Sequence, residues 1–369
     1  MAHTDTPSRA EIIDLASITG RTCLSLYLPT GDTGHEPDHL QLEFNALVSA
    51  ALDQVTDPTD REVIGASLAR LTEWPEFWRY QSRTLVVHAT TDSVRTYRLP
   101  NRLEPVASAG DRFYLKPMLR AVSFPQTAFV LALAEGSVRL VHIQADKAPE
   151  VVEVPGLPDG LESLLGKPER SGYGPGSQPR NPDGQSTRVG HYVRAVDRAL
   201  RTTLTGHGIP LILAAAEPIA STYRSVSTYP GLLPRGIGGN AESLAEGKLS
   251  ELARPVLDDH YREQVAQIRD LFEDRRARGL GRTDLAEVAR AATFGAVDTV
   301  LIDIDGVVPG TIHPDSGEVR FSESRDGRAA GVVNEIARRA LLSGSTVMAV
   351  RSEDMPDGAR AAAILRYAV

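Results

Sequence analysis

The amino-acid sequence predicts an α/β protein with two or three domains. Apolar, strand-like runs alternate with segments of helical spacing, most clearly in residues 285–350, where two helix–strand pairs follow one another. This alternation is typical of a parallel α/β sheet. The chain has 369 residues, more than one ordinary domain of roughly 100–200 residues holds. Hydrophobic residues make up 41% of the chain, so several compact cores can form.

Charge and cysteine content restrict the function classes. With a formal net charge of −8, bulk attraction does not bind the protein to RNA, so any RNA contact has to use local basic patches. Cys23 is the one cysteine of the sequence, which excludes an intramolecular disulfide and a cysteine-based zinc site. It lies in an apolar run and is expected to be a buried core residue. The N-terminal residues lack a signal-peptide apolar region, and no apolar run reaches the roughly 18 residues of a membrane helix, so we expect a cytoplasmic protein.

The first predicted domain spans residues 1–124 and has α/β character. Ser8 is the predicted N-cap of a short helix, and RTCLSLYLP is typical of a buried strand that stops at Pro29. From about Leu40 to Val55, apolar residues at helical spacing predict an amphipathic helix. The runs SRTLVVHAT and SVRTYRLP predict two strands of a hairpin.

The second predicted domain spans residues 125–240. TAFVLALAEGSVRLVHIQ predicts two strands with a tight turn at Glu135–Gly136. Residues 166–187 are dense in Gly, Pro, Ser, Asn and Arg and cannot bury a core, so we expect an exposed loop there. The helix VGHYVRAVDRALRTTL and the buried strand IPLILAAAEP follow this loop.

The third predicted domain spans residues 241–369 and begins with a long, charged helical region to about Arg278. The glycine-rich run GIGGNAE before it lacks the spacing of nucleotide-binding loops, and we interpret it as a hinge between domains. Asp303 and Asp305, at the end of a predicted strand, resemble a metal-binding pair. Since no third ligand is near in the sequence, a pair facing solvent is favoured.

Segments in the same order along the whole chain carry a resemblance to a known superfamily. The similar segments are RTCLSLYLPTGD, TAFVLALAEGSVRL, NPDGQST followed by GHYVRAVDRAL, IPLILAAAEP, DLAEVARAATFGAVDTVLIDID and DGARAAAILRYAV. In these segments the sequence resembles the archaeal and eukaryotic class-1 release factors and Pelota. The chain resembles bacterial offshoots of this superfamily more than the decoding factors themselves. The resemblance implies an α/β N-domain, a ribonuclease-H-like middle domain and a C-terminal α/β sandwich of the kind seen in some ribosomal proteins.

The resemblance also implies a candidate catalytic motif. In the superfamily a Gly-Gly-Gln tip enters the peptidyl-transferase centre, where the glutamine backbone N–H stabilises developing charge. The matching positions are Asp183, Gly184 and Gln185. Gly184 and Gln185 fit the motif, whereas Asp183 replaces the first glycine and places a negative charge close to ribosomal RNA. Asp-Gly is also a common turn in ordinary loops, so hydrolysis at this motif is left open.

Basic side chains on both sides of the motif form a candidate RNA-binding patch: Lys167, Arg170, Arg180, Arg188, His191 and Arg194. Arginine, lysine and protonated histidine contact phosphate, and a local patch suits an otherwise acidic protein. The alternative is a solvated loop and helix face without a partner.

The resemblance implies the ribosome as partner, through ribosomal RNA and P-site tRNA, with a translational GTPase as a further candidate and no cofactor. Decoding factors read stop codons partly through an NIKS-type motif, but the corresponding run HLQLEFNALVSAAL has none. This favours a factor that occupies the A site in ribosome rescue or hibernation. The alternatives are a peptidyl-tRNA hydrolase that uses Gln185, an adaptor without the ribosome, and a metal-dependent enzyme, which needs more carboxylates than Glu135 and Glu217.

Overall fold

The computed structural model describes residues 7–30, 37–79, 81–99, 101–125, 127–144, 147–164, 182–205, 208–322 and 331–368. The chain forms two compact units, one made of residues 1–125 together with 263–369 and one of residues 126–262. Both units contain helices and β-strands, which confirms the predicted α/β class. The three-domain boundaries, after residues 124 and 240, stay predictions.

The N-terminal part of the first unit is an antiparallel sheet with helices. Its elements are α1 (Arg9–Ser17), β1 (Thr19–Pro29), α2 (Pro37–Leu52), α3 (Pro58–Thr72), α4 (Pro75–Arg79), β2 (Thr84–Ala89), β3 (Val94–Leu99), β4 (Val106–Arg112) and α5 (Lys116–Ser123). The strand order is β3-β2-β1-β4. The predicted N-cap of α1 is confirmed, because the Ser8 hydroxyl accepts from the Glu11 N–H at 3.3 Å and the Glu11 carboxylate accepts from the Ser8 N–H at 2.8 Å.

Strand β1 contributes to two cores because alternate side chains point to opposite faces of the sheet. Leu24, Leu26 and Leu28 belong to a cluster with residues of α2, α3 and α4. Cys23 and Tyr27 belong to a second cluster on the opposite side. Cys23 is fully buried, as predicted, and burial raises the pKa of its thiol to about 12.

The C-terminal part of the first unit contains a mixed sheet. Its elements are β10 (Gly281–Arg282), α9 (Leu285–Thr293), β11 (Val297–Asp303), β12 (Gly310–Ile312), β13 (Val319–Phe321), α10 (Val332–Leu342), β14 (Thr346–Val350) and β15 (Ala361–Leu365). The order is β10-β15-β11-β14. Strands β11 and β14 are parallel and joined through α10, as the sequence predicts, whereas β15 is antiparallel to β11.

The two sequence segments of the first unit share one hydrophobic core. Ile12, Phe113 and Met118 of the N-terminal segment belong to the same buried cluster as Val300 and Ile336 of the C-terminal segment. All five side chains are at most 2% exposed. Neither segment therefore completes this core without the other.

A buried amide at the start of α10 connects the same two segments. The Asn334 Oδ1 accepts from the N–H groups of Leu115, at 3.0 Å, and Lys116, at 3.2 Å. These two N–H groups lie at the beginning of α5, where the helix itself offers no acceptor. Asn334 thus satisfies backbone donors more than 200 positions away in the sequence.

The next residue, Glu335, is a buried carboxylate shared by three arginines. It is 3% exposed and accepts from Arg338 and Arg339, each at 2.7 Å, and from Arg112. Burial raises the pKa of this carboxyl, but hydrogen bonds and charge from Arg338, Arg339 and Arg112 outweigh burial and lower the pKa to about 2.

Two expectations from the sequence are corrected by the structure. Asp303 does not face solvent: its side chain is 1% exposed and accepts from Arg360 and from the Ser352 hydroxyl at 2.8 Å. Asp303 is buried because β15 pairs with β11 and places Arg360 beside the end of β11. Arg360 is 57 positions away from Asp303 in the sequence. The glycine-rich run at 236–242 contains β9 (Ile237–Gly238), so this stretch is part of a sheet and not only a hinge.

The second unit is built on a five-stranded sheet. Its elements are β5 (Ala128–Leu133), β6 (Val138–Gln144), β7 (Lys147–Val152), a 3₁₀ turn (Leu161–Leu164), α6 (Pro182–Leu204), β8 (Leu211–Ala215), α7 (Ile219–Val226) and β9. The long helix α8 (Glu246–Ala277) begins in this unit and ends in the other. The order is β7-β6-β5-β8-β9, with β6 antiparallel to the other four strands. In order of appearance this is 3-2-1-4-5, the arrangement of a ribonuclease-H-like sheet.

Replacement of Glu335 by alanine leaves three largely buried arginines without their shared acceptor. We expect the free energy of unfolding to fall by about 3 kcal/mol in urea denaturation, since removal of one partner of a buried ion pair is strongly destabilising. Glu318→Ala, at an exposed position of the same unit, is the matched control and is expected to change stability by less than about 0.5 kcal/mol.

The effect of Glu335 is also expected to depend on pH. Its folded-state pKa of about 2 lies below the ordinary value of 4.5, so the stabilisation is complete above pH 4.5 and is lost as the pH falls towards 2. The stability gap between the wild type and Glu335→Ala should therefore narrow across this window. If the difference in unfolding free energy between the wild type and Glu335→Ala stays constant from neutral pH to about pH 2, Glu335 is not ionised in the folded protein.

Candidate nucleic-acid interface

The matched positions of the Gly-Gly-Gln motif lie at the start of α6. This helix begins at Pro182, so the backbone of Asp183, Gly184 and Gln185 is in its first turn rather than in the loop that the sequence predicts. A proline fits the first helical position, because its fixed φ suits the helix and its missing N–H needs no partner there. The side chains of residues 181–186 are outside the described part of the structure, as are Lys167, Arg170 and Arg180.

One side of α6 is apolar and packs in the core of the second unit. Its buried residues are Val189, Tyr192, Val193, Val196, Leu200 and Leu204. Their spacing of three and four positions places them along one face of the helix. The Tyr192 hydroxyl donates to the Ala134 carbonyl at 2.9 Å, which fixes the rotation of α6 over the end of β5.

The opposite side of α6 is exposed and basic. Three predicted RNA-binding residues, Arg188, His191 and Arg194, lie on this side together, and Arg198 and Arg201 continue it. We call these five residues the α6 basic stripe. With a rise of about 1.5 Å per residue, it extends for roughly 20 Å along the helix. The sequence reasoning missed Arg198 and Arg201, although their spacing of four and seven positions from Arg194 is the helical signal that identifies them.

Most of the stripe is available to a ligand. Within the described part of the chain, no ion pair involves Arg188, Arg194 or Arg198. Arg201 is paired with Asp197 at 3.1 Å, yet 59% of its side chain is exposed. Each arginine keeps several donors of its planar guanidinium for phosphate oxygens.

Asp197 links α6 to the chain after α7. It is 4% exposed, and its carboxylate accepts from the Thr228 N–H at 3.1 Å, the Thr228 hydroxyl at 3.2 Å and the Arg201 guanidinium. Asp197 therefore orients Arg201 at the end of the stripe and holds residue 228 beside the helix.

The carboxylates considered for a metal-dependent reaction lie apart from the strand interior. Glu135 is in the turn between β5 and β6, and Glu217 follows β8, where hydrogen bonds from Ser221 lower the pKa of its carboxyl. Among the described residues, no group of three or more His, Cys, Asp or Glu side chains is placed to hold a metal ion. No described helix is both long and apolar enough to span a membrane.

Replacement of Asp197 distinguishes its two contacts. Asp197→Ala removes the acceptor of three hydrogen bonds, from the part-buried Thr228 N–H, the Thr228 hydroxyl and the Arg201 guanidinium, so we expect the free energy of unfolding to fall by about 2 kcal/mol. Arg201→Gln removes only the half-exposed ion pair and is expected to cost less than about 1 kcal/mol. Chemical denaturation of both variants measures this difference. Equal losses in the two variants contradict the role of Asp197 at Thr228.

Residues 125–263 match the family model described as bacterial archaeo-eukaryotic release factor family 11. This range and the second compact unit, residues 126–262, have nearly the same limits. The comparison with curated proteins finds no match.

Several solved structures are similar to the chain. An archaeal translation termination factor, aRF1, is 15% identical over 98% of this chain and 99% of its own, with a TM-score of 0.25. Archaeal Pelota, from a model of ribosome-bound Pelota and ABCE1, is 12% identical over 100% and 96%, with a TM-score of 0.43. Saccharomyces cerevisiae Dom34 is 12% identical over 75% and 73%, with a TM-score of 0.41. The match to the bacterial archaeo-eukaryotic release factor family model is therefore confined to residues 125–263 of the 369-residue chain.

Proposed function

We propose that the protein is a ribosome-associated, release-factor-like factor that occupies the A site in rescue or hibernation without reading a stop codon. One observation carries the proposal: in the release-factor family domain, the α6 basic stripe follows directly on the positions of the Gly-Gly-Gln motif. The partners of such a factor are ribosomal RNA and P-site tRNA, and a translational GTPase is a further candidate partner. Its location is then the cytoplasm.

Charge supports a localised RNA contact. The whole chain has a formal net charge of −8, whereas the exposed side of α6 carries four arginines and one histidine. Displacement of counterions from phosphates favours binding at such a stripe, while the acidic remainder disfavours non-specific contact. Phosphate contacts position a protein on RNA without reading its sequence, which suits a factor that recognises an empty site.

The N-terminal segment supports the absence of stop-codon reading. The run that corresponds to the decoding region forms α2, in which Leu40, Phe44 and Ala51 are at most 3% exposed. These residues pack in the core with β1, so this helix face is used for folding. A stop-codon reader needs exposed polar groups that reach base edges.

Peptidyl-tRNA hydrolysis is the second candidate function, favoured by Gly184 and Gln185 directly before the stripe. In this reaction water attacks the ester carbonyl carbon, the bond to the ribose oxygen breaks, and that oxygen leaves with a proton. The Gln185 backbone N–H would stabilise the developing negative charge. N–H groups in the first turn of a helix have no partner within that helix, so the one at residue 185 suits this role.

The stripe is tested by Arg188→Gln combined with Arg194→Gln. We expect the double variant to sediment with 70S ribosomes at least tenfold more weakly, and the slope of log K against log salt to fall by about 1.5, because two phosphate contacts are lost. Arg70→Gln combined with Arg79→Gln, at exposed positions of the first unit, changes the charge equally and should leave binding unchanged. If ribosome binding is weakened equally in both double variants, the loss reflects net charge only, and a specific role of the stripe is contradicted.

Hydrolysis is tested by peptide release from ribosomes that carry peptidyl-tRNA. If the protein is a hydrolase, Gln185→Ala is expected to lower the release rate by at least about 100-fold without loss of ribosome binding. Gln267→Ala, at an exposed glutamine of α8, is the control. Binding without release in the wild type rejects the hydrolase and retains the rescue or hibernation factor.

A further inference from the structure

A cleft lies at the C-terminal end of the α6 basic stripe. It has a volume of about 560 Å³ and is lined by α6 and residues 228–231. The size falls within the range of roughly 300–1,000 Å³ that is typical of pockets for small organic groups. We call it the α6 cleft.

Part of the lining of the α6 cleft is apolar. Leu200 and Leu204 of α6 are each 1% exposed and form part of the lining. The Tyr229 ring is partly buried and is held by its hydroxyl, which donates to the Ile209 carbonyl at 2.6 Å. Gly231 leaves space for this ring, because a Cβ at residue 231 would lie 2.6 Å from the Tyr229 Cε1. The ring is therefore a fixed, flat apolar surface.

The α6 cleft is also lined by polar side chains and by one ion pair. Arg201 belongs both to the stripe and to the lining, and Asp197 fixes its guanidinium while more than half of the side chain stays exposed. Thr205 and Thr228 supply hydroxyl groups at the same cleft. The Arg201 Nε and Nη2 donate to Asp197, which leaves the Nη1 group of the guanidinium as a donor for a phosphate oxygen.

We propose that the α6 cleft receives an unpaired nucleotide of RNA, with its base on the Tyr229 ring and its phosphate at Arg201. The inference rests on the proposed function and deepens it, since the stripe would track the RNA backbone up to this point. An aromatic ring, two apolar leucines and one guanidinium match the chemistry of a nucleotide. Stacking on an aromatic side chain tolerates every base. Among the lining residues that the structure describes, none has a side-chain amide, and the one carboxylate, Asp197, already accepts from Thr228 and Arg201.

The test uses the full-length protein and a single-stranded RNA of about ten nucleotides that contains 2-aminopurine, whose fluorescence is quenched by stacking. We expect the wild type to quench the probe. Thr205→Leu obstructs the cleft with a non-aromatic side chain from an exposed position, and Tyr229→Ala removes the ring. We expect each substitution to weaken quenching at least fivefold. Tyr229→Phe keeps the ring and should retain quenching. Urea unfolding of each variant confirms that the second unit is folded.

The possible outcomes separate this inference from the proposed function. Quenching that persists in Thr205→Leu and Tyr229→Ala overturns the nucleotide cleft, whether or not the protein binds ribosomes. Loss of quenching in folded Thr205→Leu, with sedimentation on 70S ribosomes retained, supports both proposals, since the stripe remains. If a 2-aminopurine mononucleotide binds as tightly as the RNA, the cleft is a site for free nucleotides, and the proposal of RNA as its ligand is overturned. If the protein does not bind ribosomes, but the cleft variants still lose the quenching that the wild type shows, the ribosomal function is rejected and the nucleotide cleft is retained.

Discussion

The burial of one face of α6 determines the direction of every charged side chain on the other face. Six residues of the helix lie in the core of the second unit, each 3% exposed or less. Each such apolar side chain contributes roughly 1.5–3 kcal/mol by burial, so rotation of the helix about its axis is strongly opposed. Because the core fixes the rotation, the arginines at positions 188, 194, 198 and 201 all face solvent. The stripe is thus a consequence of packing as much as of charge.

Much of this arrangement is predictable from local sequence. Helical spacing predicted α6, the apolar runs predicted β5, β6, β8 and β11, and the position of Ser8 predicted the start of α1. The buried state of Cys23 follows from its place in an apolar strand. These features depend on residues that are neighbours in the sequence, where periodicity and capping chemistry act directly.

Features that depend on distant residues were not predicted. The burial of Asp303 requires Arg360 on another strand, and the shared core of the first unit requires segments at the two ends of the sequence. At the candidate site, the backbone around Gln185 is helical where composition favoured a loop, because Pro182 permits a helix to begin there. For Lys167, Arg170 and Arg180 the assignment to an RNA-binding patch stays a prediction.

The shared core of the first unit also has a consequence for synthesis on the ribosome. Residues 1–125 emerge first, but one face of their sheet packs against residues of α9, α10 and β11, which are translated more than 150 positions later. At roughly 5–20 residues per second, this face waits roughly 10 to 40 seconds until α10 has been translated. The second unit lies between the two segments and has its own core, so it can fold during that interval. The nascent chain therefore presents an unfinished apolar surface for a defined period, in which chaperone binding competes with aggregation.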